Sequence, residues 1–233
     1  MLKIENFEVV GWSHAIRGMR NPMNSWEKSD SEFNGGHVYY DDCNERWESN
    51  GYAFEIGPND HALMTRLAKN GPVHAKYRRM ITVYLDITAP LYWWKEFDTY
   101  KVGTVANSCS TMHKIHAKSF TIDDFSHEHL LPASLKCLEE TINALNECRD
   151  LYLGFDGFKE KYGDREKKDY WWQMIQLLPS SYNQKRTVML NYETLANIYK
   201  SRKDHKLDEW RTFCHFIEEL PYSELITGYE EEE

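Results

Sequence analysis

The most reactive side chains lie in one short segment, where Ser108, Cys109 and Ser110 are followed by His113 and His116. A thiol and two imidazoles are metal-capable ligands, and Cys109, His113 and His116 could share one face of a helix. Alternatively, a serine or Cys109 could act as a nucleophile with His113 as its base. Small hydroxyl residues after a strand more often cap a helix, and no second cysteine pair completes a tetrahedral site. We therefore expect a polar cluster and no metal.

Three acidic residues, Asp123, Asp124 and Glu128, offer oxygen ligands to a hard cation, but their surroundings are typical of an acidic helix start. The motifs G-x-G-x-x-G, G-x-x-x-x-G-K-[ST] and G-x-S-x-G are all missing from the sequence. The sequence therefore lacks the common signatures of dinucleotide-binding folds, P-loop enzymes and α/β hydrolases.

Two tryptophan pairs, Trp93-Trp94 and Trp171-Trp172, could stack on a flavin or a nucleobase. Paired aromatics at helical positions more often belong to a core, so we expect at least one of each pair to be buried. We also expect some of these four side chains in contacts between subunits, because aromatic residues are enriched at interfaces.

Composition limits the class of protein. With 233 residues, 41% of them hydrophobic, we expect a single domain over residues 1–233 with an acidic tail at 230–233. The net charge of −9 disfavours bulk binding to nucleic acid. No apolar run approaches the roughly 20 residues that cross a bilayer, and the opening MLKIENFEVV lacks the apolar region of a signal peptide. The five cysteines contain no C-x-x-C pair, so we expect reduced thiols in a soluble cytoplasmic protein.

Apolar periodicity predicts strands mainly in the first half of the chain and helices in the second. We expect Asn59 or Asp60 to cap a helix that stops at Gly71-Pro72, and Thr88 with Pro90 to begin another. The remaining expectations are a strand at residues 4–9, a helix at 13–19, a loop at 20–51 with a short strand at 37–40, a strand at 80–87, a long helix from Pro132, a helix at 164–178, a strand at 186–192 and two final helices.

Several short motifs follow the strand predicted at 80–87. Ala89-Pro90 is followed by Lys95-Glu96, by Thr99-Tyr100-Lys101 and by NSCSTMH at 107–113. In order and spacing they resemble the run P-x-x-x-x-R-Q-x-x-R-H-R-x-x-S-x-N-E-x-S-x-R-Y of the flavin-dependent thymidylate synthases, with one extra residue before Asn107. The segment is thus similar to the family's flavin and nucleotide loop.

The second half of the chain carries further motifs of the same family in the same order. Leu178-Pro179 stands at the family's L-P pair, and the stretch from Asn191 through Leu195 to Arg202 stands at N-x-R-x-L-x-x-F-x-x-x-R. Glu209-Trp210-Arg211 stands at E-I-R, and Ala15-Ile16-Arg17 is a weaker match to an early A-A-R. The resemblance therefore covers most of the chain, although each motif is degenerate.

The resemblance implies an α/β (α+β) fold with a mixed or antiparallel sheet flanked by helices. It also implies a homotetramer with FAD bound between subunits, and one-carbon transfer to C5 of a pyrimidine deoxynucleotide. Reduced folate and NADPH would be co-substrates. Because the flavin carries the redox chemistry in this family, no side-chain nucleophile is required. The catalytic residues stay unknown at this point.

Matching motif to motif implies two sets of site residues. The expected cofactor-binding residues are Thr99, Tyr100, Lys101, Asn107 and Asn191. The expected substrate-binding residues are Lys95, Glu96, Ser108, Ser110 and Arg202, together with Arg79 as a cation that could replace a lost arginine.

Two arginines of the family pattern are replaced, one by Met112 and one by Ile175 before Leu178-Pro179. Each charged hydrogen bond from arginine to phosphate contributes roughly 1.5–3 kcal/mol, so other cations such as Arg78, Arg79 and Lys101 would have to compensate. Three functions stay open: an active divergent thymidylate synthase, a flavin or nucleotide enzyme with another substrate, and a noncatalytic nucleotide-binding protein. Arg202 is either a nucleotide ligand or an arginine that stabilises a helix end.

Overall fold

The computed structural model describes residues 2–34, 38–41, 46–49 and 53–228. In these ranges the strands are β1 (Lys3–Val10), β2 (Glu32–Asn34), β3 (Val38–Asp41), β4 (Arg46–Ser49), β5 (Ala53–Glu55), β6 (Thr82–Pro90), β7 (Val105–Ser108) and β8 (Asn183–Asn191). The α-helices there are α1 (Trp12–Arg20), α2 (Pro58–Lys69), α3 (Leu91–Phe97), α4 (Pro132–Leu153), α5 (Lys159–Tyr162), α6 (Lys167–Leu177), α7 (Tyr192–Arg202), α8 (Asp208–Glu218) and α9 (Glu224–Thr227). The acidic tail expected at 230–233 lies outside the described residues.

A four-stranded antiparallel sheet with the order β1-β6-β8-β7 is the centre of the fold. β6 and β8 pair along their whole lengths, from Thr82 opposite Asn191 to Pro90 opposite Asn183. Separate two-stranded pairs join β2 to β5 and β3 to β4. The predicted α/β class, with an antiparallel sheet flanked by helices, is confirmed.

The main core lies on one face of this sheet. Val83, Leu85 and Ile87 alternate along β6 and are fully buried, as expected for a strand with one face on a core. Aromatic side chains of α3 and α8 belong to the same cluster, where the ring centroids of Trp93 and Trp210 are 4.8 Å apart. Burying such large rings stabilises the packing of α3 and α8 on each other.

A second hydrophobic cluster forms beside the first. Leu145 of α4 and Met174 of α6 are fully buried, and Phe125 from the preceding loop packs with them. The two clusters consist of different residues, and the expectation of a single domain stays a prediction.

The two tryptophan pairs differ in how deeply they are buried. Trp93 and Trp94 are both fully buried, which confirms that this pair belongs to the core. Trp171 is partly buried against the second cluster, whereas Trp172 is 40% exposed. Trp172 is therefore the most exposed of the four.

Helix α2 forms as predicted, but its start differs. Pro58 takes the first helical position, and the Asp30 carboxylate accepts hydrogen bonds from the backbone N–H groups of Asn59 and Asp60 at 2.9 and 3.0 Å. The side chain of Asp60 is instead fully buried and accepts a 2.6 Å hydrogen bond from Arg20 Nε. The prediction of Asn59 or Asp60 as N-cap is wrong because a residue distant in sequence supplies the cap.

Other boundaries shift in the same way. Thr88 and Pro90 belong to β6, so the predicted helix begins only at Leu91. The helix expected at 164–178 is shorter and follows the one-turn helix α5, and the loop expected at 20–51 contains β2 and β4 besides the predicted strand near β3. Residues 111–118 form turns and bends, so Cys109, His113 and His116 do not share the face of a helix. Within the described ranges, no helix is long and apolar enough to span a membrane.

Candidate functional site

Three strand ends bring sequence-predicted residues together at one end of the central sheet. Thr82, the first residue of β6, pairs with Asn191 at the end of β8. Val105, the first residue of β7, pairs with Met189 nearby on β8. The 3₁₀ turn at 76–80, the start of α7 and the loop at 98–104 therefore meet at this end.

A cavity of about 560 Å³ lies between these segments, and we call it the loop–helix cavity. Its volume is in the range of roughly 300–1,000 Å³ that is typical of small-molecule sites. Its lining includes sequence-predicted residues from both halves of the chain, which are Arg79, Thr99, Tyr100, Lys101 and Asn191. The remaining lining residues are Pro72, Val102, Glu193, Thr194 and Asn197.

The wall formed by the loop at 98–104 is fastened to the start of α7. The Asn191 side chain caps this helix by accepting a 3.0 Å hydrogen bond from the backbone N–H of Thr194. The Thr194 hydroxyl donates a 3.0 Å hydrogen bond to the carbonyl of Val102. Gly103 has φ +74, and a Cβ there would be 2.5 Å from the Asn191 side-chain nitrogen. Glycine is required because only it combines this backbone with so close an approach.

Charges of both signs border the loop–helix cavity. Arg79 and Lys101 are exposed cations on its lining, and the first turn of α7 adds backbone N–H groups that favour anions. Glu193 in that turn is buried, with a carboxylate oxygen 3.8 Å from Arg78 Nη1. The lining thus has two cations near solvent and a carboxylate deeper in the wall.

Arg202 belongs to a network behind Tyr100. Its guanidinium donates a 2.8 Å hydrogen bond to Glu96 and a 2.9 Å hydrogen bond to the Tyr100 hydroxyl. It also lies over the Trp210 ring, 4.7 Å from the centroid, and Trp210 Nε1 donates to the same Glu96 oxygen at 2.9 Å. Arg202 and Glu96 therefore support a lining residue of the cavity and link α3, α7 and α8.

Three of the sequence-predicted residues lie away from this cavity. Lys95 is exposed on α3. Asn107 and Ser108 lie on β7, an edge strand of the central sheet, where they pair with Thr187 and Arg186 and are exposed. One subunit alone does not bring these three to the loop–helix cavity.

Ser110 lines a second cavity of about 550 Å³, which we call the Ser110 cavity. Its hydroxyl accepts hydrogen bonds from the backbone N–H groups of Met112 and His113 at 3.2 and 2.8 Å, as a capping serine does. Burial, together with the nearby Asp124 and Cys109, raises the pKa of the Tyr182 phenol in the same lining. This cavity also has three lysines, namely Lys114, Lys118 and Lys185.

Sequence reasoning missed Glu193, Thr194 and Asn197. A signal for Glu193 was present, because it occupies the position of arginine in the motif N-x-R-x-L. The charge at that position is thus opposite to that of the family pattern. Nothing in the local sequence marks Thr194 or Asn197, whose place depends on the packing of α7 against the loop at 98–104.

The fold is similar to solved flavin-dependent thymidylate synthases. A crystal structure of thymidylate synthase X (ThyX) from Helicobacter pylori with FAD and dUMP has a TM-score of 0.59 and 15% identity, covering 97% of each chain. A second Helicobacter pylori ThyX structure complexed with FAD and dUMP has a TM-score of 0.57 and 14% identity, covering 97% of this chain and 96% of that one.

No protein-family profile matches this sequence, and no curated protein is similar to it in sequence. At 14–15% identity the structural similarity establishes the ThyX fold alone. The predicted flavin-dependent thymidylate synthase-like architecture is therefore confirmed.

Proposed function

We propose that this chain is a divergent relative of ThyX that binds FAD and a pyrimidine deoxynucleotide and transfers a one-carbon group to C5 of the pyrimidine. The proposal is supported by the agreement between the order of the sequence motifs and the fold. Four residues selected by motif order, which are Thr99, Tyr100, Lys101 and Asn191, line one cavity in a chain with the ThyX fold over 97% of its length.

The loop–helix cavity fits a flavin nucleotide in its donor set. Lys101 and Arg79 supply two cations for phosphate, and the Tyr100 ring supplies an aromatic surface. When bound, the flavin would supply the hydride for reduction of the transferred group, with reduced folate and NADPH as co-substrates. The chain's own task is then to bind and orient. The Arg202–Tyr100 hydrogen bond and the Thr194–Val102 hydrogen bond hold two lining segments in place.

The Ser110 cavity is the proposed nucleotide site. Lys118 pairs with Asp124, and Lys185 pairs with Asp86 at 3.1 Å. Lys114 has no such carboxylate partner within the part of the chain that the structure describes. It could therefore bind the nucleotide phosphate in place of the arginine that Met112 replaces.

A homotetrameric, cytoplasmic protein completes the proposal. Asn107 and Ser108 lie on an exposed edge strand and line neither cavity of their own subunit. Sites between subunits would give these residues, and Lys95, access to the cofactor or substrate of a neighbouring copy. This arrangement is what the resemblance implied for the assembly.

Flavin titration tests the first part of the proposal. FAD is added to the purified chain while flavin fluorescence and the visible spectrum are recorded. Lys101→Met should weaken FAD binding by about tenfold, because a charged hydrogen bond to phosphate is lost. Lys200→Met, at an exposed position of α7 that does not line the cavity, is the matched control. A chain that binds no FAD removes the flavoenzyme proposal.

The second candidate function is noncatalytic binding or sequestering of a nucleotide, favoured by Met112 and Glu193 at positions of family arginines. A turnover assay separates the two functions. The FAD-loaded protein is incubated with dUMP, a methylene-bearing reduced folate and NADPH, and thymidylate is measured by chromatography. Nucleotide binding without thymidylate would leave the binding function.

A further inference from the structure

Glu193 is an under-bonded carboxylate in the wall of the loop–helix cavity. The residue is only 9% exposed, and among the residues that the structure describes its buried Oε2 has no hydrogen-bond donor. Arg78 Nη1 is 3.8 Å from this oxygen, and Arg78 Nε is likewise buried with no partner in the described ranges. Proteins rarely leave buried polar atoms unbonded, so an acceptor of this kind beside a cavity points to a ligand that completes it.

The charges of this wall are also distributed unevenly between its exposed and buried parts. Arg79 and Lys101 are exposed cations, whereas Glu193 is buried, so phosphate is favoured near solvent and disfavoured at the Glu193 end. Arg78 behind Glu193 keeps the carboxylate paired in charge but gives it no hydrogen bond. A neutral donor group of a ligand is the complement of such an acceptor.

We propose that Glu193 is a specificity-determining residue that accepts a hydrogen bond from a neutral donor of the bound flavin nucleotide, a sugar hydroxyl or a ring N–H. The phosphate then lies nearer solvent, with the exposed Lys101 and Arg79. This inference rests on the proposed function and adds the orientation in which this chain holds its ligand. It also gives a physical reason for glutamate at a position where the family motif has arginine.

Glu193→Gln tests the inference, with FAD and phosphate-free riboflavin as probes in fluorescence titrations. We expect affinity for both probes to fall by about tenfold, because a charged acceptor becomes a neutral one of the same shape. Glu209→Gln is the matched control, since Glu209 is also buried but accepts from Tyr92 outside the cavity. It should leave both affinities unchanged.

Lumiflavin, which lacks the ribityl hydroxyls, and 3-methyllumiflavin, which also lacks the N3–H, identify the donor. If the donor is a ring N–H, Glu193→Gln should weaken the binding of lumiflavin but not that of 3-methyllumiflavin. If the donor is a hydroxyl, the variant should bind both compounds as tightly as the wild type does. Glu193→Asp keeps the charge beside Arg78 and withdraws the carboxylate by one methylene. Glu193→Asp should also lower the affinity for riboflavin, and it replaces Glu193→Gln in the experiment if that variant does not fold.

The outcomes separate the two proposals. Equal or tighter binding of riboflavin by Glu193→Gln overturns the inference, and tighter FAD binding would show that the carboxylate only repels phosphate. Wild-type protein that binds FAD but not riboflavin overturns it as well, because recognition of a phosphate-free ligand is required. Wild-type protein that binds neither probe overturns the proposed flavin function itself.

Discussion

Replacing Arg202 with alanine should destabilise the protein far more than removing an arginine from a helix end. The side chain is 19% exposed and makes hydrogen bonds to Glu96 at 2.8 Å and to Tyr100 at 2.9 Å, besides its contact with the Trp210 ring. A charged hydrogen bond contributes roughly 1.5–3 kcal/mol, a hydrogen bond to a neutral partner about 1 kcal/mol and a cation–π contact about 0.5–1 kcal/mol.

These contributions are not additive, and Glu96 is 36% exposed in its side chain, so water would replace part of what it loses. We therefore expect Arg202→Ala to lower the free energy of unfolding by about 2–4 kcal/mol. An arginine that only stabilises the end of a helix contributes roughly 0.3–1 kcal/mol. The difference between the two expectations is well beyond the error of a denaturation experiment.

Guanidinium chloride denaturation followed by tryptophan fluorescence measures the change. Arg211→Ala is the control for an exposed arginine, because Arg211 pairs with Asp208 and donates to the carbonyls of His205 and Lys206 while 46% exposed, and it should change stability less than Arg202→Ala does. FAD and dUMP titrations of Arg202→Ala, well below its melting temperature, then test the role of Arg202 as a ligand. A loss of stability no larger than that of Arg211→Ala would refute the network as the main role of this side chain.

The remaining predictions concern the loop, a carboxylate of the sheet and the assembly. Gly103→Ala should lower the free energy of unfolding by about 1–3 kcal/mol and weaken FAD binding, because φ is +74 and a Cβ would lie 2.5 Å from Asn191. Gly71→Ala is the control, because Gly71 has φ +87 but open space around it. This control should show the backbone strain alone and leave FAD binding unchanged. Hydrogen bonds from Thr187, Asn6 and Lys185 lower the pKa of Asp86 to about 2. Because this folded-state pKa is depressed, the stabilisation is present above about pH 4 and is lost as the pH falls toward 2. The stability difference between wild type and Asp86→Asn should therefore shrink as the pH falls from 4 toward 2, and a difference as large at pH 2 as at pH 7 would contradict it. Light scattering should give a tetramer mass, and a monomer at micromolar concentration would count against sites shared between subunits.

Local sequence determined most of the secondary structure. The β-branched, apolar run at 80–87 predicted a buried strand, and the spacing of Trp210, Phe213 and Ile217 predicted a final helix, because both signals lie in neighbouring residues. The order of the family-like motifs also predicted the ThyX-like fold. That order survives even where individual motif residues are replaced.

Tertiary structure alone decided what the predicted residues contact. Asp60 was expected to cap a helix and is instead buried against Arg20, because Asp30 reaches the same helix start from another segment. Arg202 contacts Glu96 across 106 residues of chain, and Thr194 contacts Val102 across 92. Such contacts depend on the register of β6 and β8 and on the path of the loop at 98–104. Local periodicity predicts neither of these features. The residues that line the cavity are therefore decided by the pairing of the strands.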